Sequence, residues 1–126
     1  MATSLFRQWK AFQKAFQLAR KLFIISRGFP KEEKYSLTDQ VRRSSRSVCA
    51  NLAEASAKRR YSKNWISKLT DCAAEIAETQ VWLDFALDCE YINEASYQEL
   101  IKLSEEVAKL LSYMMGNPAK FGAAAI

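Results

Sequence analysis

The sequence predicts an all-α fold, an antiparallel up-down four-helix bundle. Three observations carry that expectation. Only 3 glycines and 2 prolines interrupt 126 residues, and Ala, Leu, Lys, Glu and Ser dominate, a composition that favours helix. Apolar residues recur at steps of three and four over four long stretches, the mark of a helix face rather than a strand. Two of the three breaks between those stretches are short, which sets consecutive helices side by side and antiparallel. The length suits one domain, residues 1–115, followed by a loose tail over 116–126.

The first helix is expected over about residues 4–27, with Leu5, Trp9, Phe12, Phe16, Ala19 and Phe23 as its core stripe. Gly28 and Pro30 end it, because glycine accepts a left-handed cap and proline cannot continue the helix. A loop follows to Ser36, which is placed to N-cap the second helix, with Asp39 three residues on in a capping-box-like spacing. The core face of that helix reads Leu37, Val41, Ser44, Val48, Leu52 and Ala55. The basic turn "KRRYS" breaks the pattern, and Ser62 can cap a third helix over about 62–89, roughly 40 Å long. Its core face reads Trp65, Leu69, Cys72, Ile76, Thr79, Leu83 and Ala86. After "CEYIN", Asn93 caps a fourth helix to about Met115, with Tyr97, Leu100, Ser104, Val107, Leu111 and Met114 inward.

Charge is divided unevenly along the chain. Residues 1–68 hold 16 Lys/Arg and 4 Asp/Glu, a net +12, while residues 69–126 hold 3 and 10, a net −7. A basic half attracts nucleic acid, and it equally attracts the acidic half of another copy. The 3 cysteines, Cys49, Cys72 and Cys89, lack CxxC spacing, which argues against a disulfide framework and fits a reducing cytoplasm. The N-terminal stretch interleaves bases with apolar residues and does not read as a signal peptide. No run approaches the roughly 18 uncharged apolar residues of a membrane span.

Two helices carry a second pattern. On the third, Asp71, Glu75, Glu78, Trp82, Phe85 and Cys89 lie well away from the core stripe. Either the core reaches around to Trp82 and Phe85, or they form an exposed patch for another protein surface. On the second helix, Arg46, Ala50, Ala53 and Ala57 lie opposite the core, with Arg42 beside them. Alanines admit a close helix, and the arginines match the acidic line. Such unlike faces suit a head-to-tail contact that closes into a ring when the rotation allows; the alternative is an ordinary solvated face. Gln40, Arg43, Ser47, Asn51 and Glu54 recur at steps of three and four, at the flank of the same core face except for Arg43, which lies further round. A boundary between helices requires such groups to satisfy one another, and the expected role is a structural polar network. A ligand or nucleic-acid site is the competing reading.

The run from Phe29–Pro30 through "EKYSLTDQVRRSSRSVCANLAEA" is similar to the pattern of a bacterial family, the four-helix-bundle proteins encoded within intervening sequences of 23S rRNA genes. The matching positions are Glu33, Tyr35, Leu37, Gln40, Arg42, Arg43, Ser47, Val48, Asn51, Leu52, Ala53 and Glu54. "AAEIAETQVWLDFALDCEYI" resembles the ending of the family's third helix, with Glu78 at its glutamate position. Ala55 stands where glycine is usual, and Ala74–Glu75 where many members have Gly-Ser. The resemblance spans about residues 5–115. It implies a four-helix bundle assembled as a homopentamer. It also implies kinship with the accessory proteins of diversity-generating retroelements, related pentameric bundles that bind a reverse transcriptase and nucleic acid. It supplies no catalytic residue.

An enzyme is not expected. With no histidine, the chain lacks the commonest general base, the usual metal ligand and the Glu-x-x-His signature of di-iron bundles. No glycine-rich phosphate loop or nucleophile elbow appears. Neither a cofactor nor a metal is implied, since Asp71, Glu75 and Glu78 on one helix face read as solvated or paired. The leading reading is a non-catalytic oligomer that binds RNA or DNA or assists a nucleic-acid-processing protein. Residues 42–68 hold 8 bases against Glu54 alone. Lys58, Arg59, Arg60 and Lys63 are the expected phosphate contacts, with Arg42 and Arg46 nearby and Tyr61 and Trp65 for stacking. The competing reading is a protein-interaction scaffold.

Overall fold

A computed structural model of the chain describes residues 5–124. Among these residues five helices and two 3-10 turns make up the regular structure: α1 Leu5–Gln8, α2 Lys10–Ser26, α3 Leu37–Ala57, α4 Ser62–Asp88 and α5 Glu94–Gly116. The turns are Lys31–Glu33 and Pro118–Phe121. The four long helices pack as a bundle, α2 on α3, α3 on α4, α4 on α5, and α5 back on α2. Cross-helix pairs run in opposite numerical order, Arg43 with Glu78 and Glu54 with Lys68, or Lys14 with Glu106 and Lys21 with Glu99.

Helices α3 and α4 bury the residues that their periodicity selects. Every core position named above for α3 is buried, from Leu37 to Ala55, and so is every one for α4, from Trp65 to Ala86. Between them the Ser44 and Thr79 hydroxyls meet at 2.7 Å inside the bundle. Small hydroxyl residues let the two backbones come close, and the bond between them leaves neither oxygen stranded. Helix α5 buries Leu103 in addition to the expected Leu100, Ser104, Val107, Leu111 and Met114, while Tyr97 is half-buried. Burial pushes the Cys72 thiol up to about 12 and the Cys49 thiol up to about 11. Both therefore stay protonated near neutral pH, and all three cysteines are free.

The first helix departs from expectation twice, and Ser4, its expected start, lies outside the described residues. The helix breaks at Trp9, whose backbone is extended (φ −70°, ψ 135°). Its ring instead fills the end of the core, edge-on to Trp65 at 5.6 Å and to Phe121 at 5.9 Å. Beyond the break, α2 turns inward Ala11, Ala15, Leu18, Leu22 and Ser26, not Phe12, Phe16, Ala19 and Phe23. Both stripes have helical spacing. The slimmer one fits a closely packed interior, and the aromatic one is left on the flank with Phe16 49% exposed.

Capping is also partly different. Ser36 occupies the N-cap of α3 without a side-chain cap bond. Its hydroxyl donates to Glu33 Oε1 at 2.6 Å, and the Leu37 N–H reaches the same oxygen at 3.4 Å. Tyr91 OH donates to the other Glu33 oxygen at 2.9 Å, and the hydrogen bonds from Ser36 and Tyr91 hold the Glu33 carboxyl below its usual range. Asn93 does cap α5, accepting from the Ser96 N–H at 2.8 Å. Tyr61, not Ser62, is the N-cap residue of α4.

Helix α4 ends in a Schellman arrangement, with Tyr91 N–H on Ala86 O and Glu90 N–H on Leu87 O, both at 2.9 Å. That turn forces Glu90 to φ 63°. A left-handed conformation costs a residue with a Cβ roughly 1–2 kcal/mol. Glu90→Gly is expected to stabilise the chain by about 1 kcal/mol, read as a higher urea midpoint with unchanged slope.

Where the sequence leads one to expect a loose tail, the described residues after α5 pack against the bundle. Phe121 packs on Trp9, Trp65 and Tyr113, and Ala123 is buried. The Ala124 N–H donates to Arg59 O at 2.9 Å, tying this segment to the α3–α4 turn.

Candidate functional site

The α3–α4 turn carries the densest basic chemistry. Lys58 is the C-cap of α3, its N–H bonded back to Glu54 O and Ala55 O. Lys58, Arg60 and Lys63 are exposed, and among the described residues none pairs with a carboxylate. Arg59 differs: it is half-buried, and its Nη1 donates to Ser56 O at 2.8 Å while its carbonyl holds the tail. Tyr61 is 65% exposed beside them, but Trp65 is 0% exposed and is not available for stacking. Its register with Leu69 and Cys72 puts the indole inside, where Nε1 has no hydrogen-bond partner.

The polar line on α3 divides into two clusters across the α3–α4 seam. Arg43 donates to Gln40 Oε1 at 3.2 Å, reaches both Glu75 oxygens at 3.5 Å, and pairs tightly with Glu78. Glu78 also accepts from Trp82 Nε1 at 3.1 Å. At the other end Lys68 bridges Glu54 at 3.5 Å and Asp71 at 3.8 Å. Ser47 Oγ donates back to Arg43 O at 2.8 Å. The Asn51 side chain, half-buried, has no hydrogen-bond partner among the described residues.

The acidic line on α4 is thus partly occupied within the chain. Glu75 and Glu78 face Arg43, and among the described residues no group of three or more His, Cys, Asp or Glu is placed to hold a metal ion. Of the two aromatics there, Phe85 is 52% exposed and Trp82 half-buried, with ring centroids 6.1 Å apart. On α3, Arg46 and Ala50 are exposed and Ala53 is half-buried. Arg42 is committed inward: its Nε donates to Ser26 Oγ at 2.8 Å and its Nη2 to Phe23 O at 3.4 Å. A cation there complements the carbonyl end of α2.

A model of the 23S rRNA-intervening sequence proteins matches residues 7–113. The chain belongs to that family. It is similar to a solved protein of unknown function from the S23 ribosomal protein family of Bacteroides thetaiotaomicron, at 27% identity and a TM-score of 0.76. The match covers 84% of this chain and 95% of that one. Comparison with curated proteins returns no match.

The family-like positions now have physical roles. Glu33 holds the start of α3, Arg42 the end of α2, and Arg43 the seam with α4. Tyr35 is 82% exposed. Sequence reasoning missed a groove of about 430 Å³ between α2 and α3, lined by Phe16, Ala19, Arg20, Phe23, Arg46 and Cys49. The signal was present, because Phe16 and Arg20, like Phe23 and Arg27, are four residues apart, and each guanidinium lies over its ring at 5.4 and 4.7 Å. No described helix is long and apolar enough to cross a membrane.

Proposed function

We propose that this chain is a non-catalytic nucleic-acid-binding protein of the cytoplasm that assembles as a ring of up-down bundles, accessory to a nucleic-acid-processing system. The observation that carries the reading is the exposed cluster of Lys58, Arg60 and Lys63, paired with no carboxylate among the described residues, beside Tyr61 at one end of the bundle. Cyclic symmetry repeats that end around one rim, and the pentamer number comes from family resemblance. The intended faces are Arg46, Ala50 and Ala53 of one copy against Asp71, Trp82 and Phe85 of the next, with Arg42, Glu75 and Glu78 reinforcing the contact from their places within each chain.

Binding is tested on structured RNA and duplex DNA by fluorescence anisotropy. With six phosphate contacts, affinity is expected to fall about 10³-fold between about 50 and 200 mM salt. Reversal of Lys58, Arg60 and Lys63 to glutamate removes binding and leaves the mass by light scattering unchanged. Arg59 is left intact in that variant because its half-buried side chain donates to Ser56 O at the end of α3. If the wild type binds neither polymer at the lower salt, the basic rim serves a protein partner. The scaffold reading then takes its place, favoured by the exposed Phe16 and Phe85.

A further inference from the structure

We infer that the α2–α3 groove is the socket for the outer face of α4 from a second copy of this chain, an assignment that rests on the ring reading and moves its contact from Ala50, Ala53, Asp71 and Trp82 to the groove and the Val81–Asp88 face. The floor of the groove is apolar, and its walls are cationic. Phe16 and Phe23 are seven residues apart, about 10 Å along the helix, with Ala19 between them leaving room. Arg20 and Arg46 line the groove, and among the described residues neither meets a carboxylate. An occupant therefore needs apolar groups that fit within that span of about 10 Å, with carboxylates beside them.

The chain displays such a surface. On α4, Val81 is 46% and Phe85 52% exposed, one turn apart, and Asp88 follows Phe85 by three residues on the same face, while Asp84 between them accepts from Tyr97 OH of its own chain at 2.5 Å. Val81 and Phe85 are four residues apart, about 6 Å along the helix, short enough for both to lie between Phe16 and Phe23. Helices α2 and α4 are not neighbours in the bundle. A contact between unlike surfaces is heterologous and propagates head to tail, the geometry a ring requires. A nucleic-acid strand fits the groove less well. The guanidinium groups of Arg27, Arg42 and Arg46 all lie over the Phe23 ring, at 4.7, 4.6 and 5.4 Å, so a base would have to displace cations to stack on it.

The test separates the two surfaces. Phe16→Glu spoils the socket and keeps the plug, and Phe85→Glu does the reverse; circular dichroism checks that each stays helical. Each variant alone is expected to run as a 14.4 kDa monomer in light scattering, and the equimolar mixture as a species of twice that mass. Independently, Arg46→Glu and Asp88→Arg each dissociate the wild-type assembly, and the double variant restores it. If the wild type assembles and Phe16→Glu assembles equally well, the ring stands and this socket is overturned. If the wild type is a monomer at about 100 µM, roughly a hundredfold above a micromolar Kd, both the ring and the socket fall. Loss of RNA binding on Phe16→Glu, with assembly intact, also overturns the inference and gives the groove to nucleic acid.

Discussion

Trp65→Ala is expected to destabilise the chain by about 3–5 kcal/mol, the range for emptying a fully buried aromatic site. The indole is 0% exposed and is met edge-on by Trp9, with Phe121 tilted against it at 6.4 Å. No single helix can close over the space it leaves, because its neighbours come from α4, from the break before α2 and from the segment after α5. Urea unfolding followed by circular dichroism at 222 nm measures the loss. Trp65→Phe is expected to cost far less: it keeps much of the volume and removes an Nε1–H that has no partner, a donor whose burial costs about 1–3 kcal/mol. Equal losses in the two variants would mean that the indole itself, rather than filled volume, holds this end of the bundle.

Phe121→Ala carries the second large expected effect, about 2 kcal/mol, because the ring is half-buried and each favourable aromatic pair adds about 0.5–1.5 kcal/mol beyond area. Its three ring partners are Trp9, Trp65 and Tyr113. A stop codon at Pro118 should cost at least as much, since it also removes Ala123 and the Ala124–Arg59 bond. Both are read by thermal melts. A truncated chain that melts like the wild type would show the segment to be dispensable.

These two sites also mark where the sequence was legible and where it was not. In α3 and α4 one stripe is clearly the most apolar, so periodicity alone selects Val48, Leu52, Leu69 and Ile76 for the interior. In α2 two stripes compete. Hydrophobicity favours the phenylalanines, whereas the space between packed helices favours Ala11, Ala15 and Leu18, and the width of that space is a tertiary quantity. The docked tail was hidden for a similar reason: "NPAKFG" has the composition of a loop, and only the cleft beside Trp9 and Trp65 gives Phe121 a place. Of the polar line, Arg43 and Glu54 meet charges of α4 at two separate points along the seam. Those pairings were not legible, because which carboxylate faces which base depends on helix register.

The Trp9–Trp65–Phe121 cluster has a kinetic consequence. Its members come from the beginning, the middle and the end of the chain, so it cannot exist until the whole bundle has closed. The α3–α4 pair, by contrast, joins segments separated by one short turn and carries the smaller loop-closure cost. Folding should therefore start in that hairpin and finish at the aromatic end, with low φ-values for Trp9 and Phe121. Interactions absent from the transition state slow unfolding without speeding folding. The aromatic end thus acts as a latch on the lifetime of the folded chain rather than on the speed at which it forms.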